Sequence, residues 1–325
     1  MAIVKPFKAV RPSRDKVALV SSKSFDAYTD KELDAKLEFN PFTFLHILNP
    51  GYKYHQEFSG EQRFQMIHNR YEEFKENKIF IKDETASFYI YESSNAHDYF
   101  CGIIGATAVD DYNNGTIKKH EGTIKKREQL FETYLKTTGF NAEPVLLTYK
   151  DDEKFNTLLQ TLKKKRPEYE FSTTDKKLHR LWLVNDKENI KKIISFFEDK
   201  EALYIADGHH RSASSSLLKT DLQAENIHHK GDENYNFFMS YIIPESNLKI
   251  SEFNRFIKDL NGLSIDEFLI ELDKSYRIED RGEHFYKPSQ KHHFSMYLGG
   301  KFYSLYLRKS LFLNGDALSK LDAEI

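Results

Sequence analysis

The sequence contains little sulfur and no long apolar run. Cys101 is the only cysteine among its 325 residues, which excludes an intramolecular disulfide and a zinc site built from cysteines and favours a reducing compartment. The N-terminal residues lack the apolar stretch of a secretory signal peptide, and no segment approaches the roughly 18 apolar residues of a membrane span. The sequence therefore predicts a cytoplasmic protein without a membrane partner.

Net charge and the common phosphate-binding motifs are also missing. The 48 Lys and Arg residues nearly balance the 50 Asp and Glu residues, which gives a formal net charge of −2. A chain this balanced has no global electrostatic attraction to nucleic acid or to anionic lipid. The sequence has neither GxxxxGK[ST] nor GxGxxG, which excludes the standard P-loop and Rossmann sites. It also lacks the GxSxG nucleophile elbow of the hydrolases.

Aromatic residues, in contrast, are abundant: the chain has 26 Phe and 19 Tyr. Large rings bury much area per residue, so we expect a substantial core. The chain is long enough for two subdomains. We predict an α/β domain over residues 1–260 and a smaller α+β part over residues 261–325. The last residues, LSKLDAEI, begin a helical pattern that has no stop signal. This end of the chain predicts that the sequence is a truncated form of a longer protein.

The spacing of apolar residues alternates between helical and strand patterns. Phe64, Ile67 and Tyr71 recur at steps of three and four residues, which predicts an amphipathic helix over 61–77. The DDYNNG cluster at 110–115 predicts a turn. Other patterns predict helices near 152–165 and 190–197, strands at 87–92, 101–109, 144–149, 177–184, 202–206 and 235–243, and a hairpin over 295–307. Together these elements predict a mixed α/β (α+β) fold.

The segment 201–219, EALYIADGHHRSASSSLLK, carries the strongest functional signal. An apolar strand runs into a tight turn at Asp207 and Gly208, and the helix that follows begins with His209, His210 and Arg211. Cations oppose the positive end of the helix dipole, where acidic residues would be favoured by about 0.3–1 kcal/mol per charge. A bound anion such as a phosphate would remove this conflict.

Two other interpretations of this segment stay open. In the first, Asp207 caps the helix while the basic side chains lie in water, which is a common arrangement after a turn. In the second, the adjacent histidines bind a metal ion. That interpretation is disfavoured because neighbouring side chains on a helix or a strand point in different directions.

A second basic segment, KKHEGTIKKR, spans residues 118–127 before a predicted helix. Thr123 is the predicted N-cap, which would place Lys125 and Arg127 in the first turn and so repeat the conflict with the helix dipole. Glu121 stands among these cations and is therefore expected to stay ionised, which suits a base or a magnesium ligand. The alternative is a solvated run of charges without a function.

Three further carboxylates are candidates for a magnesium site. Asp26, Asp110 and Asp111 lie in loop or turn sequences. Mg²⁺ typically takes one or two protein carboxylates together with phosphate oxygens and water. Each of these residues also has an ordinary explanation as a turn former.

The run ADGHHR at 206–211 resembles the signature of a large, mostly uncharacterised bacterial family. It is also similar to the Gly-x-[His/Arg]-Arg signatures of the ParB/sulfiredoxin superfamily, which includes free serine kinases with an Asp-Gly-His-x-Arg motif. The segments that match the bacterial family in order are PFKAVRP (6–12), NPFTFLHI (40–47), DYNNGTIKKHEGT (111–123), PVLLTY (144–149) and YNFFMSYIIPESNLKISEFNR (235–255). The chain departs from the family at 23–26, where KSFD replaces a Pro-Pro-Tyr-Asp loop.

This resemblance implies a ParB/sulfiredoxin-like core with added strands and helices, and a nucleotide-dependent phosphotransferase that uses ATP or ADP with Mg²⁺. The acceptor it suggests is a small hydroxyl compound, free serine in particular. The residues expected at the site are Glu121, His120 and Asp207 for catalysis, Gly208, His209, His210, Arg211, Lys125 and Arg127 for the phosphates, and Asp26 and Asp111 for the metal.

Two other functions stay open. One is a ParB-like regulator that binds a nucleotide or nucleic acid without turnover, against which the balanced charge and the lack of an obvious helix-turn-helix both count. The other is an interaction protein in which the motif is unused. The expected partners are a nucleotide and a small-molecule substrate rather than nucleic acid, and the oligomeric state, a homodimer included, stays open.

Overall fold

The computed structural model describes residues 1–250, 254–290 and 292–308. The chain divides into two compact units, Met1–Lys249 and Ile250–Ile325. The mixed α/β prediction is confirmed, since both units combine helices with sheets. The helical pattern expected over 318–325 lies outside the described residues. Among the helices of the described residues, none has the length and apolar content needed to cross a membrane.

The first unit is built on a mixed sheet. Its strands are β1 (Val4–Lys5), β2 (Val10–Pro12), β3 (Phe80–Lys82), β4 (Phe88–Ser94), β5 (Tyr99–Ala108), β6 (Ile117–Lys118), β7 (Val145–Tyr149), β8 (Tyr169–Ser172), β9 (Leu178–Val184), β10 (Leu203–Asp207) and β11 (Phe237–Pro244). Nine of them form one sheet in the order β6-β10-β7-β11-β5-β4-β9-β8, with β1 paired to β5. β10 is parallel to β6 and β11 is parallel to β7, while the other neighbours in this sheet are antiparallel.

The helices of the first unit are α1 (Val17–Val20), α2 (Asp30–Phe39), α3 (Leu45–Leu48), α4 (Gly60–Glu76), α5 (Val109–Asn113), α6 (Lys125–Thr138), α7 (Glu153–Leu162), α8 (Lys187–Glu198) and α9 (His209–Glu225). The helix predicted over 61–77 is confirmed as α4, in which Phe64, Ile67 and Phe74 are buried. These side chains pack with Ile47 and Phe80 in a core cluster separate from the main one.

The main core cluster joins the sheet to α7 and α8. Phe155 and Leu159 of α7 and Ile193 and Phe197 of α8 pack in one cluster with buried strand residues such as Leu147. An aspartate precedes each helix and accepts a hydrogen bond from a first-turn N–H group, so that both helices are capped by their own sequence. The helices predicted near 152–165 and 190–197 are therefore confirmed, with shifted ends.

The DDYNNG cluster folds differently from its prediction. Residues 109–113 form the short helix α5, and the chain turns only after Asn113. Asp110 and Asp111 lie in the first turn of this helix, where negative charge is favoured by the helix dipole. The same residue types that start turns also start helices, which explains why the prediction of a turn over the whole cluster was wrong.

The second unit contains α10 (Ile265–Asp273), β12 (Tyr276–Gly282), β13 (His293–Leu298) and β14 (Lys301–Leu307). The strands form an antiparallel sheet in the order β12-β14-β13. β13 and β14 are joined at Gly299 and Gly300, which both have positive φ. The predicted hairpin over 295–307 is therefore confirmed.

A buried ion cluster fastens α7 to the strands β4 and β9. Glu92 accepts from Lys163 Nζ at 2.8 Å, from the Arg180 guanidinium at 3.2 Å and from the Tyr99 hydroxyl at 3.0 Å. The side chains of Glu92 and Lys163 are only 7% and 8% exposed. Burial alone would raise the pKa of Glu92, but the hydrogen bond and charge of Lys163, together with the hydrogen bonds from Tyr99 and Arg180, outweigh it, so the pKa lies below its ordinary value.

Candidate functional site

The structure brings the two basic segments of the sequence together at one edge of the large sheet. β6 and β10 are parallel neighbours, paired through Ile117 with Leu203, so the segments that follow them leave the sheet at the same edge. β7 is antiparallel to β10 and begins at this edge, because Leu146 pairs with Asp207. We call residues 119–124, 143–144 and 207–211 the motif edge. The carboxyl ends of parallel strands are where α/β sheets commonly bind ligands.

The start of α9 depends on Gly208. Its φ of +99° lies in the left-handed region, and a Cβ atom there would lie 3.1 Å from Nε of Arg211. Asp207 accepts a hydrogen bond from Arg211 Nη2, and no side chain in the described part of the protein caps the helix. The alternative in which Asp207 caps α9 is therefore wrong, and the first-turn N–H groups are left without a side-chain partner.

Arg211 ties the helix start to the segment before β7. Its Nη1 donates to the carbonyl oxygen of Pro144 at 2.8 Å and to Oε2 of Glu143 at 3.2 Å, while Nη2 donates to Asp207. Within the described residues, Nε has no hydrogen-bond partner. The side chain is 27% exposed, and its two carboxylate partners are 68% and 69% exposed. The guanidinium is therefore fixed in orientation while its surroundings stay open to solvent.

His209 connects the two basic segments. Its ring is 5% exposed and lies 4.4 Å, centroid to centroid, from the ring of His120. Nε2 accepts from the backbone N–H of His120 at 3.4 Å, and Nδ1 lies 3.7 Å from Oε2 of Glu121. Burial, and then the charge of His120, lower the pKa of His209. A neutral ring whose Nε2 accepts must carry its proton on Nδ1, which faces Glu121.

The polar residues that follow in α9 face inward. Ser212, Ser214 and Ser215 are buried and donate hydroxyl hydrogen bonds to carbonyl groups one turn earlier in the helix. They therefore pack the helix and do not offer donors to a phosphate. His210 is half-buried, and its Nδ1 is a buried atom that lacks a hydrogen-bond partner among the residues described.

The start of α6 differs by one residue from its prediction. Ile124, not Thr123, occupies the N-cap position, and no side chain caps the helix. The Thr123 hydroxyl donates instead to the Glu128 carboxylate, an acidic residue of the first turn. Lys125 and Arg127 are exposed in that turn, as the sequence predicts. Neither side chain forms an ion pair within the described ranges, so both positive charges face solvent.

The candidate metal ligands with described side chains already have other partners. Asp111 is buried and accepts from the backbone N–H of Ile3 at 2.6 Å, and burial raises the pKa of this carboxyl. Asp110 pairs with Lys219. Asp26 lies in the turn Phe25–Ala27, and its side chain is outside the described part of the protein. Among the residues described, no group of three or more His, Cys, Asp or Glu could hold a metal ion.

Sequence reasoning missed Glu143 and Pro144. Both are partners of Arg211, yet a Glu-Pro pair before a strand carries no local functional signal. The signal that could have found them is the pairing of β7 with β10, which places the start of one strand beside the end of the other. Strand pairing is a long-range property that the local pattern does not specify.

The conformation of Gly208 makes a direct prediction for stability. Gly208→Ala is expected to lower the free energy of unfolding by about 1–2 kcal/mol, because a left-handed conformation costs a residue with a Cβ atom about that much. The measurement is urea unfolding of the full chain. Gly122→Ala is the matched control, since Gly122 lies in the same edge, has no positive φ and has no atom near its added Cβ. Equal stability of the two variants would contradict the prediction.

Comparison with known proteins gives a match to a protein family. The family model described as "Protein of unknown function (DUF1015)" matches residues 4–324. No curated protein and no solved structure matches the chain.

Proposed function

We propose that this chain, which belongs to the DUF1015 family, is a nucleotide-dependent phosphotransferase that acts on a small hydroxyl substrate. One observation carries the proposal: the ends of β6 and β10 bring the carboxylate of Glu121 beside a helix start that carries Arg211. Phosphoryl transfer needs mainly a positioned acceptor and neutralised phosphate charge. The motif edge supplies a candidate group for each task.

The phosphate groups bind at Gly208–Arg211 in this proposal. No described side chain caps the first turn of α9, so its N–H groups and the positive end of the helix dipole are available to an anion. Gly208 has no side chain to block the approach. Arg211 is already oriented by three acceptors and its Nε–H is unused within the described residues, so little side-chain freedom is lost when a phosphate binds.

Glu121 orients the acceptor hydroxyl and accepts its proton. Its side chain is 65% exposed, so a substrate can reach it, and the Nδ1–H of neutral His209 faces it from the protein side. His209 is then a positioning residue, because its ring is buried against His120 and does not reach the phosphate side. His120 supports the same arrangement through its backbone N–H. The sequence predicted that His209 would donate to a phosphate; in this proposal it positions Glu121 instead.

The residues at the motif edge fit Mg²⁺ bound together with ATP or ADP. Mg²⁺ uses one or two protein carboxylates and completes its shell with phosphate oxygens and water, so a preformed cluster of three ligands is not required. Glu121, Glu143 and Asp207 offer exposed carboxylates from three segments. Asp111 is less suited because its carboxylate is buried.

Free serine is the acceptor that we propose to test first. The similarity of ADGHHR to the signature of the ParB/sulfiredoxin superfamily, with its free serine kinases, supports this choice. Lys125 and Arg127, exposed at the start of α6, add positive charge that would attract the nucleotide.

The test is a transfer assay on the full chain. Radiolabelled ATP or ADP is incubated with Mg²⁺ and with L-serine, L-threonine or glycerol, and a labelled phosphoester of at least one acceptor is expected. Glu121→Gln is expected to lower the rate by about 10²–10⁴-fold, the usual contribution of a general base. Glu188→Gln, an exposed carboxylate on α8, is the control and keeps full activity. Absence of transfer to every acceptor from both nucleotides would contradict the proposal.

A further inference from the structure

The first unit contains a cavity that the proposed function does not use. Its volume is about 1360 Å³, above the roughly 300–1,000 Å³ of common ligand pockets. The cavity is lined by residues of β4, β5, β8, β9 and β11 and by the N-terminal segment 5–28. None of the three segments of the motif edge lines it, although Ala142, next to Glu143, does.

Many aromatic rings line this cavity. Twelve Phe or Tyr residues line it. The rings of Tyr71 and Phe140 stack at 4.2 Å. On the sheet, the imidazole of His179 stacks with Phe171 at 5.1 Å, and its Nδ1 lies 2.7 Å from the hydroxyl of Tyr91. Rings of this kind offer stacking and edge contacts to another ring.

The cavity also carries an excess of positive charge. Eight Lys or Arg residues line it, against two Asp residues. Three of the eight have carboxylate partners, namely Arg11, Lys177 and Arg180. No carboxylate of the described side chains lies within ion-pair distance of the other five, which are Lys5, Lys8, Lys23, Lys36 and Lys82. Five lysines that have no described carboxylate within ion-pair distance, beside several aromatic rings, make a site suited to an anion.

We propose that this cavity binds an organic anion that carries an aromatic ring. The lysines attract the negative charge of the ligand. The rings supply dispersion and stacking contacts to the body of the ligand. Both features are needed, so the site discriminates against a neutral ring and against an inorganic anion. The cavity shares no lining residue with the motif edge, and the proposal is independent of phosphoryl transfer.

Two fluorescent dyes test this proposal on the full chain. 8-Anilinonaphthalene-1-sulfonate carries rings and a negative charge, while N-phenyl-1-naphthylamine carries nearly the same rings without the charge. We expect one saturable site per chain for the sulfonate, with an affinity at least about tenfold higher than that for the neutral dye. Raising the NaCl concentration is expected to weaken binding of the sulfonate alone.

Charge reversal locates the site. The double variant Lys8→Glu/Lys82→Glu is expected to lower the affinity for the sulfonate at least about tenfold and to leave the affinity for the neutral dye nearly unchanged. Its control, Lys187→Glu/Lys191→Glu, reverses two exposed charges on α8 and should bind both dyes as the unaltered chain does.

Equal affinity for the two dyes, binding that does not saturate, or sulfonate binding insensitive to salt would each overturn the proposal. The dye and salt measurements need no variant, so they decide the matter even if a charge-reversed chain fails to fold. Dye binding is measured without nucleotide, so a negative result in the transfer assay does not affect the conclusion from the dyes.

Discussion

Arg211→Lys is expected to lower kcat/KM for phosphoryl transfer by about a thousandfold, at the lower end of what an arginine at a transferred phosphate contributes. In the structure, both terminal nitrogens of Arg211 donate to neighbouring groups, and Nε lies next to Gly208. Lysine keeps the charge but has a single nitrogen, which cannot bridge Asp207 and Pro144 and also face a phosphate. Steady-state kinetics of the full chain with the acceptor found in the transfer assay provide the measurement.

The matched control for this variant is Arg277→Lys, which changes an arginine that is 64% exposed in the second unit and should leave kcat/KM unchanged. Thermal unfolding of both variants shows whether the loss of activity comes from a loss of structure. A value of kcat/KM for Arg211→Lys within about threefold of the unaltered chain would show that the guanidinium group of Arg211 does not hold the phosphate.

Local patterns of the sequence predict the regular elements well. The helix α4 was predicted within one residue at each end, because its apolar residues repeat over four turns and leave no competing period. Strands β7 and β10 were found because short apolar runs stand between charged segments. The prediction of a turn was wrong at 110–113, where two aspartates serve a helix start as readily as a turn.

The candidate site could be predicted only in pieces. The sequence indicated residues 118–127 and 201–219 separately, each from cations at the start of a helix. Their meeting depends on β6, a strand of two residues that is too short to show a periodic pattern. Which strands pair is decided by packing of the whole sheet, so Glu143 could not be assigned to Arg211 in advance.

The cavity could be predicted from the sequence even less than the candidate site. Its lining is drawn from residues that range from Lys5 to Met239, and no single segment contributes a recognisable motif. The abundance of Phe and Tyr predicted a substantial core, and many rings are indeed buried in it. That some of these rings surround a space together with lysines that have no described carboxylate within ion-pair distance follows only from the tertiary arrangement.

The largest effect on stability is expected at Glu92. Glu92→Gln should lower the free energy of unfolding by about 3–5 kcal/mol at pH 7, because it leaves the ammonium group of Lys163 buried without its carboxylate. In the folded chain Lys163 donates to Glu92 and to the Tyr99 hydroxyl. In the variant, the glutamine amide and the Tyr99 hydroxyl are both neutral, so neither can replace the lost negative charge. Urea unfolding of the full chain, followed by far-ultraviolet circular dichroism, measures the difference.

The pH dependence of this difference has a definite sign. The pKa of Glu92 is lowered in the folded chain from its ordinary value of 4.5, so its contribution to stability is present above that value and is lost as the pH falls through the folded pKa. The gap between the unaltered chain and Glu92→Gln should therefore narrow below about pH 4.5. Glu170→Gln removes the exposed partner of Arg180 and should lower the free energy of unfolding by less than about 1 kcal/mol. If the two variants are equally stable at pH 7, the ion cluster does not hold α7 to the sheet.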